Sequence, residues 1–105
     1  MADAQTLLAK YPGFVPVIVV PSKDIHISKL KFLFPNNESF AYCFANIRKY
    51  IKLDAKQAVF YLVDGKLINQ SQNVGDFYSQ YRLNKDPRNA FIFISVFKEN
   101  CFGKN

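Results

Sequence analysis

Residues 90–97, AFIFISVF, limit the fold more than any other stretch. All but Ser95 are apolar, so no alternation separates a wet face from a dry one. A strand of this kind rests in the middle of a sheet, covered on both faces. A chain of 105 residues has room for one domain, so the remaining elements must be organised around this strand.

The segment FVPVIVV, residues 14–20, is a second apolar and β-branched run and reads as another buried strand. Pro16 has no N–H to give, so one ladder position there is unpaired. SKLKFLF, residues 28–34, alternates instead, with Leu30, Phe32 and Phe34 on one face and Lys29, Lys31 and Leu33 on the other. Its lysines suit an edge strand, where charge blunts unwanted pairing.

Pro35 stops that strand, and the asparagines of NNES offer a helix cap. In FAYCFANIRKYI, Phe40, Phe44, Ile47 and Ile51 recur at helical spacing, which predicts an amphipathic helix of about three turns. Arg48, Lys49 and Lys52 fall at its end, where cations complement the helix dipole. AVFYLVDGKLI reads as two short strands about Asp64-Gly65, because a two-residue turn with positive φ at both positions favours that pair. NVGDFYSQYRL predicts a helix capped by Asn73 with Val74, Phe77, Tyr78 and Tyr81 facing inward. LNKDPRN reads as a loop. DAQTLLAKY predicts a short helical segment within residues 1–11, ended by Pro12-Gly13.

The element order ββαβ(β)αβ predicts an α+β β-grasp: a mixed four- to five-stranded sheet with a long helix packed across one face. It is a single domain over residues 1–105, with a flexible C-terminal tail over 98–105. Half of the residues are hydrophobic and 16% aromatic, which supplies a ring-rich core and excludes disorder.

Charge and rare residues exclude several functions. The formal net charge is +6, which favours acidic partners. The aromatics, however, fall at core-facing periods and are not interleaved with lysines on one exposed strand, so no nucleic-acid partner is expected. Two cysteines make no disulfide framework, and with the lone His26 they lack zinc-ligand spacing; neither metal nor cofactor is expected. His26 in a polar loop and Cys43 on a packed helix do not form a catalytic pair, so the chain is read as no enzyme. No leader-like segment precedes the fold, and no apolar stretch approaches the roughly 18 residues needed to cross a bilayer. A cytoplasmic setting is therefore expected.

Several segments in order, KYPGFVPVIV, SKLKFLFP, FANIRKYIKL, QAVFYLVDGKL and FIFISVFKENCFG, carry a resemblance. The chain resembles the GABARAP-type autophagy modifiers, which have the ubiquitin-like fold. The resemblance implies a ubiquitin-like modifier whose tail a processing cysteine protease cuts after Gly103, with Phe102 as the hydrophobic grip. Ubiquitin-like activating and conjugating enzymes would then pass the glycine to phosphatidylethanolamine, giving a lipid-anchored pool on autophagosomal membranes. Glycine suits the step because no Cβ hinders the narrow cleft or the carbonyl. The other implied reading is a non-lipidated ubiquitin-like adaptor that binds peptides only.

The resemblance also implies a site for autophagy receptors bearing aromatic-x-x-aliphatic motifs, which add a strand to an exposed sheet edge. The edge would be Lys29 to Phe34. Its first pocket would use Pro16, Ile18, Lys31, Leu33 and Phe91. Its second would use Phe32, Phe34 and Pro35, with Cys43 and Asn46 from the helix. Four positions depart from the pattern. Asn46 stands for an aliphatic residue, predicting a wetter, weaker second pocket. Cys43 stands for a larger side chain, predicting a deeper one. Phe14 and Tyr50 stand for basic residues that help hold peptides. The family usually has two helices before its first strand and only part of the second is legible here, so altered partner and membrane association is expected.

Overall fold

The two longest apolar runs lie side by side at the centre of the sheet. The computed structural model describes residues 2–99. In it β1 (Phe14–Pro21) and β4 (Ile92–Lys98) pair in parallel, from Val17 opposite Ile92 to Pro21 opposite Val96. β2 (Lys31–Pro35) flanks β1 antiparallel, and β3 (Val59–Val63) flanks β4 antiparallel. Among the described residues the sheet has four strands in the order β2-β1-β4-β3. Pro16 lies opposite Leu33 of β2, one residue before the parallel ladder with β4 begins. The missing N–H thus falls where β1 has one sheet neighbour rather than two.

The inner face carries Val15, Val17 and Val19 of β1, Phe32 and Phe34 of β2, Val63 of β3, and Ile92, Ile94 and Val96 of β4, all buried. Against it packs α2 (Phe40–Arg48) through Phe40, Cys43, Phe44 and Ile47. The Phe44 ring stacks on Tyr61 at 4.4 Å. Ser39, rather than an asparagine, caps α2, its hydroxyl accepting from the Tyr42 N–H at 3.2 Å. The helix stops at Arg48, earlier than the apolar stripe, yet Ile51 stays buried in the following turn. The Arg48 guanidinium holds that turn by donating to the carbonyls of Ile51, Asp54 and Gln57.

α1 (Ala4–Lys10) is capped by Asp3 and lies beside β1. α3 (Val74–Tyr81) is capped by Asn73 as the spacing predicted, with Val74 and Tyr78 buried. The stretch read as a loop contains two short 3-10 turns, Arg82–Asn84 and Pro87–Asn89.

Two expectations are corrected. The strand predicted over 28–34 begins at Lys31, and Leu30 is exposed rather than on the buried face. The Ser28 N–H donates to the Tyr50 carbonyl and Ile27 bridges Ile51, which draws this part of the chain toward the end of α2. The Asp64-Gly65 turn forms with positive φ at both residues, 51° and 78°, but the strand expected after it is a single bridge from Val63 to Lys66. Beyond it the chain turns away, and the carbonyls of Gln70 and Gln72 accept from Ala41 and Phe40 at the start of α2.

The outer face of the sheet is only partly covered. Ala4 and Leu7 of α1 pack over the β1 end, while Phe93 of the central strand remains 40% exposed. The tail expected over 98–105 overlaps β4 by Lys98, and the Glu99 N–H still donates to the Ala58 carbonyl.

Candidate functional site

Among the described residues β2 pairs on one side only, with β1, so its other edge has no strand partner there. The pleat sends Lys31, Leu33 and Pro35 to the outer face and Phe32 and Phe34 beneath α2. The register then sets Lys31 opposite Ile18 and Leu33 opposite Pro16.

Along this edge lies a cleft of about 420 Å³. Pro16, Ile18, Lys31, Leu33 and Phe91, the residues expected for the first pocket, all line it, together with Lys29, Val17 and Phe32. Pro16 is fully buried, so it forms the floor; Ile18, Leu33 and Phe91 are half-buried. Ala2 and Leu7 close the cleft from the α1 side, which the sequence reading did not include. In DAQTLLAKY, Leu7 and Leu8 stand four and three residues before Tyr11, a helical spacing that was the available signal, but nothing local says which wall they meet.

Phe91 is held from behind. The Tyr81 hydroxyl donates to the Phe91 carbonyl at 2.9 Å, and the Tyr78 hydroxyl donates to the neighbouring Ala90 carbonyl. Burial raises both phenols above the ordinary range, so both stay protonated and able to donate. α3 thus fixes the approach to β4 and with it one wall of the cleft.

The second group lies on the other side of the edge. Phe32 and Phe34 stack with centroids 5.3 Å apart and planes within 10°. Tyr50 meets Phe32 edge-on at 5.5 Å, and Tyr42 meets Phe34 edge-on at 6.3 Å. Cys43 lies beneath them, fully buried. Pro35 and Asn46 are half-buried, and the Asn46 amide donates to the Tyr42 carbonyl at 2.9 Å. Lys29 bridges the two groups: its ammonium stands 4.8 Å from the Phe32 ring centre and 5.3 Å from that of Tyr50.

Burial, reinforced by the Glu38 carboxylate, pushes the Cys43 thiol up to about 12. It stays protonated near neutrality and is no nucleophile. His26 is exposed in the connection between β1 and β2. Among the described residues no helix is long and apolar enough to cross a membrane. Phe102 and Gly103, the expected conjugation residues, lie outside the described residues.

Comparison with known proteins agrees over nearly the whole chain. The family described as "Autophagy protein Atg8 ubiquitin like" matches residues 1–103. Autophagy-related protein 8e of Arabidopsis thaliana is 33% identical over 105 residues, covering 97% of this chain and 83% of that protein. Autophagy-related protein 8 of Emericella nidulans is 32% identical, covering 97% and 86%. That of Schizosaccharomyces pombe is 31% identical, covering 96% and 83%. The crystal structure of Trypanosoma brucei ATG8 superposes with a TM-score of 0.75 at 24% identity, over 95% of this chain and 85% of that one. A likeness at that identity speaks to the fold, which is the ubiquitin-like one.

Proposed function

The chain belongs to the Atg8 ubiquitin-like family of autophagy proteins, and on that premise we propose that it is a lipid-conjugated modifier of the GABARAP type. Members of the family are ubiquitin-like modifiers and not enzymes, so the chain is acted upon. A cysteine protease uses water to split the Gly103–Lys104 amide. The activating enzyme joins the freed carboxylate to the nucleotide of a nucleoside triphosphate, releasing pyrophosphate, and an enzyme thiol then displaces the nucleotide, so that the acyl group is held as a thioester on the conjugating enzyme. The amine of phosphatidylethanolamine attacks the thioester carbonyl, forming an amide and releasing the thiol. Gly103 is unhindered at this step because it has no Cβ, and Phe102 gives the protease cleft an apolar grip. The product divides the protein between the cytoplasm and autophagosomal membranes.

The observation that carries this reading is where the family match stops: at residue 103, the glycine itself, close behind the end of β4 at Lys98. The free edge of β2 and the adjoining cleft support a second activity, docking of receptors with aromatic-x-x-aliphatic motifs, the aromatic residue entering between Ile18, Leu33 and Phe91. The exposed Lys31 draws acidic residues beside it.

The test is the chain with an N-terminal tag, expressed in cells that carry the conjugation machinery. The wild type should lose Lys104-Asn105 and gain a lipid by mass spectrometry, and Gly103→Ala should abolish the lipid-linked band. Persistence of that band in Gly103→Ala would overturn the assignment.

A further inference from the structure

Anchors spaced as aromatic-x-x-aliphatic have a geometric consequence on a strand. Side chains alternate between faces with a period of two, so residues three apart point to opposite sides of the sheet. A peptide paired with β2 that places its first anchor in the cleft must direct its second toward the α2 side. There it meets the surface made by Phe32, Phe34, Tyr42 and Tyr50.

That surface has little depth. Phe34 is 4% exposed and Cys43 is 0% exposed, so neither offers a wall to an inserted side chain. What faces outward is Tyr42, 40% exposed, and Tyr50, 36% exposed, each set edge-on against a buried phenylalanine. The cation position is already filled, because the Lys29 ammonium stands over both Phe32 and Tyr50. A second cation would meet like charge. One N–H of the Asn46 amide donates to the Tyr42 carbonyl, one turn back on the same helix.

From these contacts we infer that the second subsite is a closed aromatic wall, and that this chain prefers a flat aromatic residue over a branched aliphatic one three positions after the first anchor. The inference rests on the peptide-binding reading above. Branched aliphatic residues gain from depth, by surrounding their methyl groups with apolar surface. Aromatic residues gain on a shallow wall by lying offset or edge-on against rings already present. Tyr42 and Tyr50 are the residues that set this preference. Among the peptides that dock at this edge, the preferred occupant is an acidic one of the form aromatic-x-x-aromatic, matched in charge to Lys29 and Lys31.

The experiment titrates the full chain with three acidic peptides that share a first-anchor tryptophan and differ only at the second anchor, being Phe, Leu or Ala, followed by NMR and calorimetry. The Phe peptide should bind tightest, by about threefold or more over Leu, with Leu and Ala within about threefold of each other. A tightest-binding Leu peptide that loses about tenfold or more on change to Ala would reveal a deep aliphatic pocket and overturn the inference alone. Failure of all three peptides to shift β2 resonances at millimolar concentration would overturn the peptide-binding reading and the inference with it. In the double variant Tyr42→Ala, Tyr50→Ala the preference for Phe should vanish while dependence on the first anchor stays. Both side chains are more than a third exposed, so the fold should survive the change. A preference for Phe that survives in the double variant would assign it elsewhere.

Discussion

Gly75 donates its backbone N–H to the Asn36 carbonyl at 2.9 Å, and a Cβ on Gly75 would fall 2.3 Å from that same oxygen. The residue is a glycine for want of space. Its contact ties the first turn of α3 to the chain just after β2, so the helix that positions Phe91 and the edge that forms the site share one junction.

Gly75→Ala should therefore lower stability by about 1–3 kcal/mol through overpacking. Urea unfolding followed by circular dichroism measures it, with a melting temperature lower by roughly 4–8 °C for each kcal/mol in a domain of this size. An unchanged midpoint would mean that the Asn36 backbone yields freely.

Cys43 makes stability depend on alkaline pH. Its thiol ionises near the ordinary value of 9.0 when unfolded but at about 12 when folded. The folded chain thus holds the proton that the unfolded chain releases, and stability present below pH 9 is lost as pH rises toward 12. Burial shifts Tyr61, Tyr78 and Tyr81 the same way, so the comparison is with Cys43→Ala. The stability advantage of the wild type should shrink above pH 9, by up to about 1.4 kcal/mol per pH unit. A difference constant from pH 8 to 11 would contradict a buried, protonated thiol.

Tyr81→Phe removes the hydroxyl that holds the Phe91 carbonyl. Stability should fall by about 0.5–1.5 kcal/mol, and the affinity for the aromatic anchor should fall severalfold because one wall of the cleft is released. Calorimetric titration beside thermal melting separates the two effects. A loss of stability with unchanged affinity would leave Tyr81 a purely structural role.

Much of the fold was legible because it is local. The period of two in residues 28–34 set Phe32 and Phe34 apart from Lys31 and Leu33, and that division holds in β2. The spacing of Phe40, Phe44 and Ile47 identified α2, and Asp64-Gly65 identified a turn with positive φ twice. Where local pattern competed with a distant partner it lost. Leu30 continues the alternation but is exposed, because Ser28 bonds to Tyr50 at the end of α2. Leu67 and Ile68 continue an apolar run but make no strand, because the chain beyond them bonds to the start of α2.

Read alone, the sequence determined which segments pleat and which coil and the unbroken apolarity of the central strand, since each of these is a property of neighbouring residues; the glycine on which the proposed conjugation depends was singled out by the family resemblance. Tertiary structure alone decided that Ala2 and Leu7 complete the cleft, that Tyr81 steadies Phe91, and that Tyr42 and Tyr50 stand before Phe34 and Phe32. Those contacts join residues of different elements, and no periodicity within one element records which side chains packing will bring against it.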